Sequence, residues 1–323
     1  MPKVSVIIPA YNAMNYLPKT LESVLKQTFD DFEVILVNDG SSDGIEDWTA
    51  QIIDRRVKLI SQENKGLAVA RNTGINHSQG DYLAFLDADD IWEPTKLEKQ
   101  VICLAENSEL GLVYTWTAWI DENDNFTGRI LKSYAEGYIW QKLITYNVIG
   151  CGSVAMVRRS CFDTVGIFDS NLTYFNVNED WDMWLRIADR YPFKVIKEPL
   201  VYYRQSSSSS SRNWHLMEQS FSIVIEKAFS SAPAELFYLK GQSYGSANLC
   251  LAWKALQSRD KDYKKAIYFR AAALAQYPWV CFSKEYLSLS LAIILMRWLG
   301  GDLYKKLLRI FYFLRRRLIP IGR

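Results

Sequence analysis

Short continuous apolar runs alternate with stretches of helical period through the first half of the chain. Val4 to Ile8, Phe32 to Val37, Val57 to Ile60 and Tyr82 to Leu86 read as strands. Leu17 to Gln27, Ile45 to Arg55 and Leu67 to Asn76 read as helices. The strand runs are apolar throughout rather than at every second position, which predicts strands covered on both faces. That pattern belongs to a mostly parallel α/β sheet flanked by helices, in which ligands gather at the carboxyl ends of the strands.

Chemistry is therefore expected in the segments that leave the strands. Pro9-Ala10-Tyr11-Asn12 comes after the first, Asn38-Asp39-Gly40-Ser41-Ser42-Asp43-Gly44 after the second, and Asp87-Ala88-Asp89-Asp90 after the fourth. The Asp39 segment reads equally as a turn leading into a helix cap. The acidic cluster carries more. Strand alternation predicts Asp87 and Asp89 on one side, where two close carboxylates repel unless a cation lies between them. A hard divalent ion, Mn2+ or Mg2+, suits such a pair when phosphate oxygens complete its shell. The competing reading is an Asp-rich loop capping a helix that Pro94 opens, with Asp90 as the cap.

Asn178-Glu179-Asp180-Trp181-Asp182 opens a further helix, with apolar residues at 181, 184, 185 and 188 on one face. Acids in its first turn complement the helix dipole. They also supply a carboxylate expected to stay ionised at neutral pH, as a general base must. Adjacent helical residues point about 100° apart, so only one of Glu179 and Asp180 can face a reacting hydroxyl well.

In order and spacing these segments, with Asn64-Lys65-Gly66 and Ala70-Arg71-Asn72 between them, resemble the signature blocks of the family 2 inverting glycosyltransferases of GT-A fold. The resemblance covers about residues 3 to 205. It implies a nucleotide-sugar donor, a uridine nucleotide by preference, and an acceptor hydroxyl on a glycan or a lipid-linked molecule. It also implies that Pro9, Tyr11 and Asp39 hold the nucleoside, with Asn64, Lys65, Gly66 and Arg71 near the base and phosphates. By the same resemblance Asp87 faces ribose and sugar, Asp89 binds the metal, and Asp180 is the base, with Glu179 as second choice. A sugar nucleotidyltransferase lacks support because no Gly-rich loop comes after the first strand; a non-catalytic helical interaction protein is the other alternative.

Leu200 to Arg204 reads as a last strand, succeeded by six serines and then Arg212, Asn213, Trp214 and His215. The serine run has the composition of a linker. In the family a loop here closes over the donor pyrophosphate, which makes Arg204, Arg212 and His215 candidate cations for that task. The chain departs from the family's usual His-Pro-rich loop.

The expected organisation is a catalytic domain over 1–215, with a nucleotide-sugar half at 1–110 and an acceptor half at 111–215. A helical extension comes next over 216–285, then a basic tail over 286–323. Tyr238, Gly241, Tyr244, Ala247, Leu249, Ala255, Tyr263, Ala266, Ala273 and Pro278 are spaced somewhat like one tetratricopeptide repeat, too few to form an array. Residues 303–317 carry six cations and no acid among aromatic and aliphatic residues, as helices lying on anionic membranes do; packing on the protein is the alternative.

Composition narrows the rest. A formal charge of +2 gives no ground for wrapping nucleic acid, and two histidines, His77 and His215, exclude a multi-histidine metal centre. Five cysteines with no CxxC pair suit reduced thiols. Neither a secretory signal nor a membrane-spanning run is apparent, so the expected location is cytoplasmic, or peripheral on the inner face of the cell membrane.

Overall fold

β1 (Val4–Ala10) and β2 (Phe32–Asp39) are buried along their whole lengths, as their unbroken apolar runs require. In the computed structural model, which describes residues 1–175, 177–205, 213–258, 262–298, 300 and 303, these strands lie second and third from one edge of a nine-stranded sheet. The others are β3 (Val57–Gln62), β4 (Tyr82–Phe85), β5 (Ile91–Trp92), β6 (Leu112–Ile120), β7 (Phe126–Leu131), β8 (Met156–Arg158) and β9 (Phe193–Arg204). Their order is β3-β2-β1-β4-β8-β6-β9-β5, with β7 pairing β6 off this path.

β3, β2, β1 and β4 pair in parallel, joined by α1 (Leu17–Leu25), α2 (Ile45–Thr49) and α3 (Leu67–His77). The chain moves outward from β1 to β3 and then crosses back to lay β4 on the other side of β1. This reversal of strand order falls at β1 and β4, and the carboxyl ends of strands at such a point are where sheets of this kind bind ligands. β8 runs antiparallel to β4 and to β6, while β9 runs parallel to β6. The carboxyl ends of β4, β6 and β9 therefore share one edge of the sheet.

Helix α3 lies so close to β1 that a Cβ on Gly74 would stand 2.3 Å from Ile7 Cγ2. On the other half, α7 (Glu179–Ala188) buries Trp184 completely against Phe85 and Phe168, whose rings stand 5.2 Å apart. The expected helix over 45–55 is shorter, ending at Thr49. The helix expected to open at Pro94 is α4 (Lys96–Glu106), preceded by Thr95.

The chain divides into two compact units. One comprises Met1–Asn125, Arg129–Trp140 and Val148–Gln205; the other comprises Phe126–Gly128, Gln141–Asn147 and Ser206–Arg323. α5 (Trp140–Thr145) crosses that boundary, and α6 (Arg159–Val165) belongs to the first. In the second, α8 (Trp214–Ser230) precedes a hairpin of α9 (Tyr238–Gln257) and α10 (Tyr263–Gln276). Small residues let the hairpin close: a Cβ on Gly241 would meet the Gln276 carbonyl at 2.7 Å. A short 3-10 turn, Pro278–Phe282, leads into a helix over 284–298. The serine run, Arg212 and the basic residues from 304 onward lie outside the described residues.

Candidate active site

β4 stops at Phe85, and residues 86–90 form a turn in which the Asp90 N–H donates to the Asp87 carbonyl at 3.0 Å. Asp87 and Asp89 are thus neighbours in a turn rather than alternating positions of a strand, which corrects the expectation from strand period. Three elements hold this turn. Thr20 on α1 donates to the carbonyls of Ala88 and Asp90 at 2.9 and 2.8 Å. Ser153 Oγ donates to Asp90 Oδ2 at 2.6 Å and accepts from the Asp87 N–H at 3.1 Å. Arg204, the last residue of β9, donates its N–H to Asp90 Oδ1 at 2.9 Å and its Nε–H to the Asp89 carbonyl at 2.7 Å.

Asp90 is fully buried, so it is no helix cap; its carboxyl ties α1, β9 and the Ser153 turn together. Burial, with Asp89 and Asp87 nearby, raises its pKa well above the ordinary carboxylate range. Asp89 is pushed up to about 6 by burial and by the Asp87 charge. A carboxylate so placed gains from a cation, because a positive charge removes the repulsion that lifts its pKa.

Arg71 on α3 is buried and binds two acids. Its Nη2 donates to Asp87 Oδ1 at 2.6 Å and its Nη1 to Glu179 Oε1 at 2.5 Å, while the guanidinium lies 5.4 Å from the Phe168 ring. Burial alone would lower its pKa, but Asp87 and Glu179 outweigh that and hold it raised and charged. Arg71, expected near the base and phosphates, thus has its guanidinium between two carboxylates. Gly152 makes room for it, since a Cβ there would stand 2.8 Å from Nη2.

Asn178 turns into α7 at a φ of 64°, and Glu179 and Asp180 lie in the first turn. Glu179 is buried and tied to Arg71. Asp180 is half-buried, and its Oδ1 accepts from the Trp181 N–H at 2.7 Å. Burial and the Glu179 charge push Asp180 up to about 7 against the lowering effect of Arg71. It therefore titrates near neutrality, rather than lying safely ionised as its place in a helix's first turn suggests. Trp181 and Trp184 are both buried, so neither offers an open wall to a sugar.

At the end of β1, Pro9 is buried within the strand and Tyr11 stands 55% exposed just beyond it. Asp39 closes β2. Its Oδ1 accepts from Gln62 Nε2 at 2.6 Å and from the Lys65 N–H at 2.9 Å, and its Oδ2 from the Gly66 N–H at 2.8 Å. This carboxylate shapes the Asn64-Lys65-Gly66 loop, and a carboxylate's remaining lone pairs leave room for a further donor. Gly40, at φ +74°, permits the approach: a Cβ there would meet the Asn64 nitrogen at 2.7 Å. Asn12, at φ 49°, joins the two strand ends, donating its N–H to Ser41 Oγ and accepting the Ser42 N–H at Oδ1.

Two of the three loop cations are among the described residues, Arg204 in the first unit and His215 in the second. Arg204 lies on β9 with its side chain buried, paired with Asp124 at 2.5 Å and lying over the Tyr16 ring at 4.5 Å. Arg212 lies outside the described residues. His215 is in the first turn of α8, stacked on Trp214 with ring centroids 3.4 Å apart.

Sequence reasoning missed Thr20, Gly152 and Ser153. The small-residue run Gly150-Cys151-Gly152-Ser153 was the one available signal, since such runs mark close backbone approach.

The donors around the acidic turn are all oxygens, which fits Mn2+ or Mg2+. Among the described residues no group of three His, Cys, Asp or Glu side chains is assembled to hold a metal alone.

Comparison with known proteins bears on the family and the fold. The sequence pattern of "Glycosyl transferase family 2" matches residues 5–166. An uncharacterized glycosyltransferase of Rickettsia conorii is 31% identical over 271 residues, 82% of this chain and 43% of that one. The chain thus spans less than half the length of that relative. The Escherichia coli UDP-Glc:alpha-D-GlcNAc-diphosphoundecaprenol beta-1,3-glucosyltransferase WfgD is 33% identical over 213 residues, 65% of this chain and 80% of the relative. Among solved structures, the mannosyltransferase PcManGT from Pyrobaculum calidifontis, in complex with GDP-Man and Mn2+, shares the fold. Its TM-score is 0.60 at 19% identity, covering 98% of this chain and 86% of that one. The chain belongs to glycosyl transferase family 2 and has the GT-A fold.

Proposed function

We propose that the chain transfers a sugar, with inversion, from a uridine-diphosphate sugar to a hydroxyl of a polysaccharide or lipid-linked glycan. The observation that carries this reading is the double pairing of Arg71, which joins the acidic turn through Asp87 to the first turn of α7 through Glu179. One guanidinium thereby sets the donor carboxylate and the acid beside Asp180 in a common frame. The name of the WfgD relative supports uridine as the base and a diphospho-lipid as the class of acceptor.

In the proposed reaction Asp180 takes the proton of the acceptor hydroxyl. The oxygen attacks the anomeric carbon as the bond to the diphosphate breaks, and the electron pair leaves on the phosphate oxygen. A pKa near 7 suits this exchange, because the carboxylate is basic enough to take a proton while a share of it is ionised near neutral pH. Asp89 is the residue to hold Mn2+ or Mg2+, which when bound supplies charge neutralisation to the leaving diphosphate. Tyr11, Asp39 and the loop it shapes take the nucleoside. An acceptor in lipid places the protein at the inner face of the cell membrane, a location that the cations of 303–317 favour.

Incubation with Mn2+ and a panel of UDP-, dTDP- and GDP-sugars, with nucleoside diphosphate release as the readout, tests the reading. Release from UDP-sugars that Asp89→Ala abolishes is the expected result. Equal inactivity of all donors, with no metal-dependent nucleotide binding, would overturn it.

A further inference from the structure

The helix over 284–298 is apolar on two faces. Leu289, Ala292, Ile293 and Met296 are buried. Leu287, Leu291, Ile294 and Trp298 are 52–83% exposed, and their spacing of four, three and four residues places them in one row. At 1.5 Å per residue the row is about 16 Å long. The turn that leads into this helix exposes two more large rings, Trp279 at 70% and Phe282 at 75%. Soluble proteins rarely expose so many contiguous apolar side chains without a partner.

We propose that this row is a docking face for an anionic lipid surface. The proposal deepens the acceptor-at-the-membrane part of the functional reading by naming the surface that makes the contact. Charge identifies the occupant. The next segment of the chain, 303–317, carries Lys305, Lys306, Arg309, Arg315, Arg316 and Arg317 and no acid. A second copy docked on this face by two-fold symmetry would bring two such segments together and repel, whereas an anionic bilayer attracts them at about 1 kcal/mol per cation near the surface. Tryptophan suits the boundary between headgroups and acyl chains, where an apolar ring meets water. No described helix is long and apolar enough to cross a membrane, so the contact lies in the plane of the surface.

The test is co-sedimentation of the full chain with vesicles of phosphatidylcholine alone or with one-third phosphatidylglycerol. Binding to the anionic vesicles that weakens with salt, and that falls at least about tenfold in Leu291→Glu/Ile294→Glu, is the expected outcome. Trp298→Ala guards against misfolding as the cause. It should keep the circular dichroism of the parent and lose part of the tryptophan quenching by brominated lipid. Vesicle binding that is absent, or unchanged in these variants, overturns the proposal. So does a dimer by light scattering that the double substitution dissociates, which assigns the face to a second copy. Metal-dependent donor hydrolysis of the same variants, measured without vesicles, separates the two ideas. If it persists while vesicle binding is absent in the parent, only the docking face falls; if it is missing throughout while vesicle binding holds, the catalytic reading falls instead.

Discussion

Arg71 donates to Glu179 across 2.5 Å, and this ion pair sets Glu179 and Asp180 apart. One acid of the adjacent pair is buried and neutralised by a guanidinium; the other is half-buried and titrates near neutrality. Two carboxylates in adjacent positions thus receive different electrostatic surroundings.

Replacing Arg71 removes the cation from two acids at once. Arg71→Ala should destabilise the fold by about 3–5 kcal/mol, the cost of leaving a buried charge unpaired. Arg71→Lys offers one ammonium where two fork contacts are needed and should still lose activity. Thermal unfolding and donor turnover of the two variants check this; parent-like behaviour of Arg71→Lys would mean that the double pairing is not required.

Asp180→Asn should lower kcat about 10²- to 10⁴-fold and leave nucleotide affinity close to the parent's, the signature of a lost proton acceptor. Glu179→Gln should act differently, lowering stability because Arg71 loses a counter-charge. Equal kinetic losses in both variants, without a stability difference, would remove the distinction between the two acids.

The Asp180 pKa gives the pH dependence a sign. A base must be ionised, so kcat/KM in the free enzyme should rise with pH through about 7. Stability should move the other way. A carboxyl whose folded pKa lies above its unfolded value of 3.8 holds more protons when folded, so its contribution falls as pH climbs from about 4 to about 7. Asp180→Asn should therefore flatten the acid limb of the rate profile and raise the melting temperature at pH 8. Measuring both quantities on one variant makes coincidence improbable.

Asp89→Asn should raise the Mn2+ concentration needed for half-maximal turnover, and a chelator should stop the parent reversibly. Ser153→Ala leaves a buried acid short of a donor and should cost about 1–3 kcal/mol. Metal titrations monitored by donor hydrolysis would detect the first and thermal unfolding the second. A Ser153→Ala variant with unchanged melting and metal response would show that the turn holds without it.

The β1-to-β4 half was legible because its strands are buried on both faces and so read as uninterrupted apolar runs. The loops at their carboxyl ends stood out by contrast. The contacts that give those loops their shape were not legible. Arg71 and Glu179 are 108 residues apart in sequence, and neither residue's neighbours record which partner it takes. Asp at every second position of the acidic turn imitates strand period, while the actual geometry depends on Thr20, Ser153 and Arg204. Local grounds alone make Asp180 an ionised acid; burial and Glu179 decide otherwise, and only packing reveals burial.

The acidic turn is also the last part of its unit that the growing chain can complete. Asp90 waits for the N–H of a residue 114 positions later, at the end of the final strand. Until that strand is laid beside β6, Asp89 lacks its carbonyl tether and Asp90 half of its donors. During synthesis the sheet can form from its first strand onward, whereas the shape of the acidic turn must await Arg204, so a chain halted short of it would carry the aspartates without that shape.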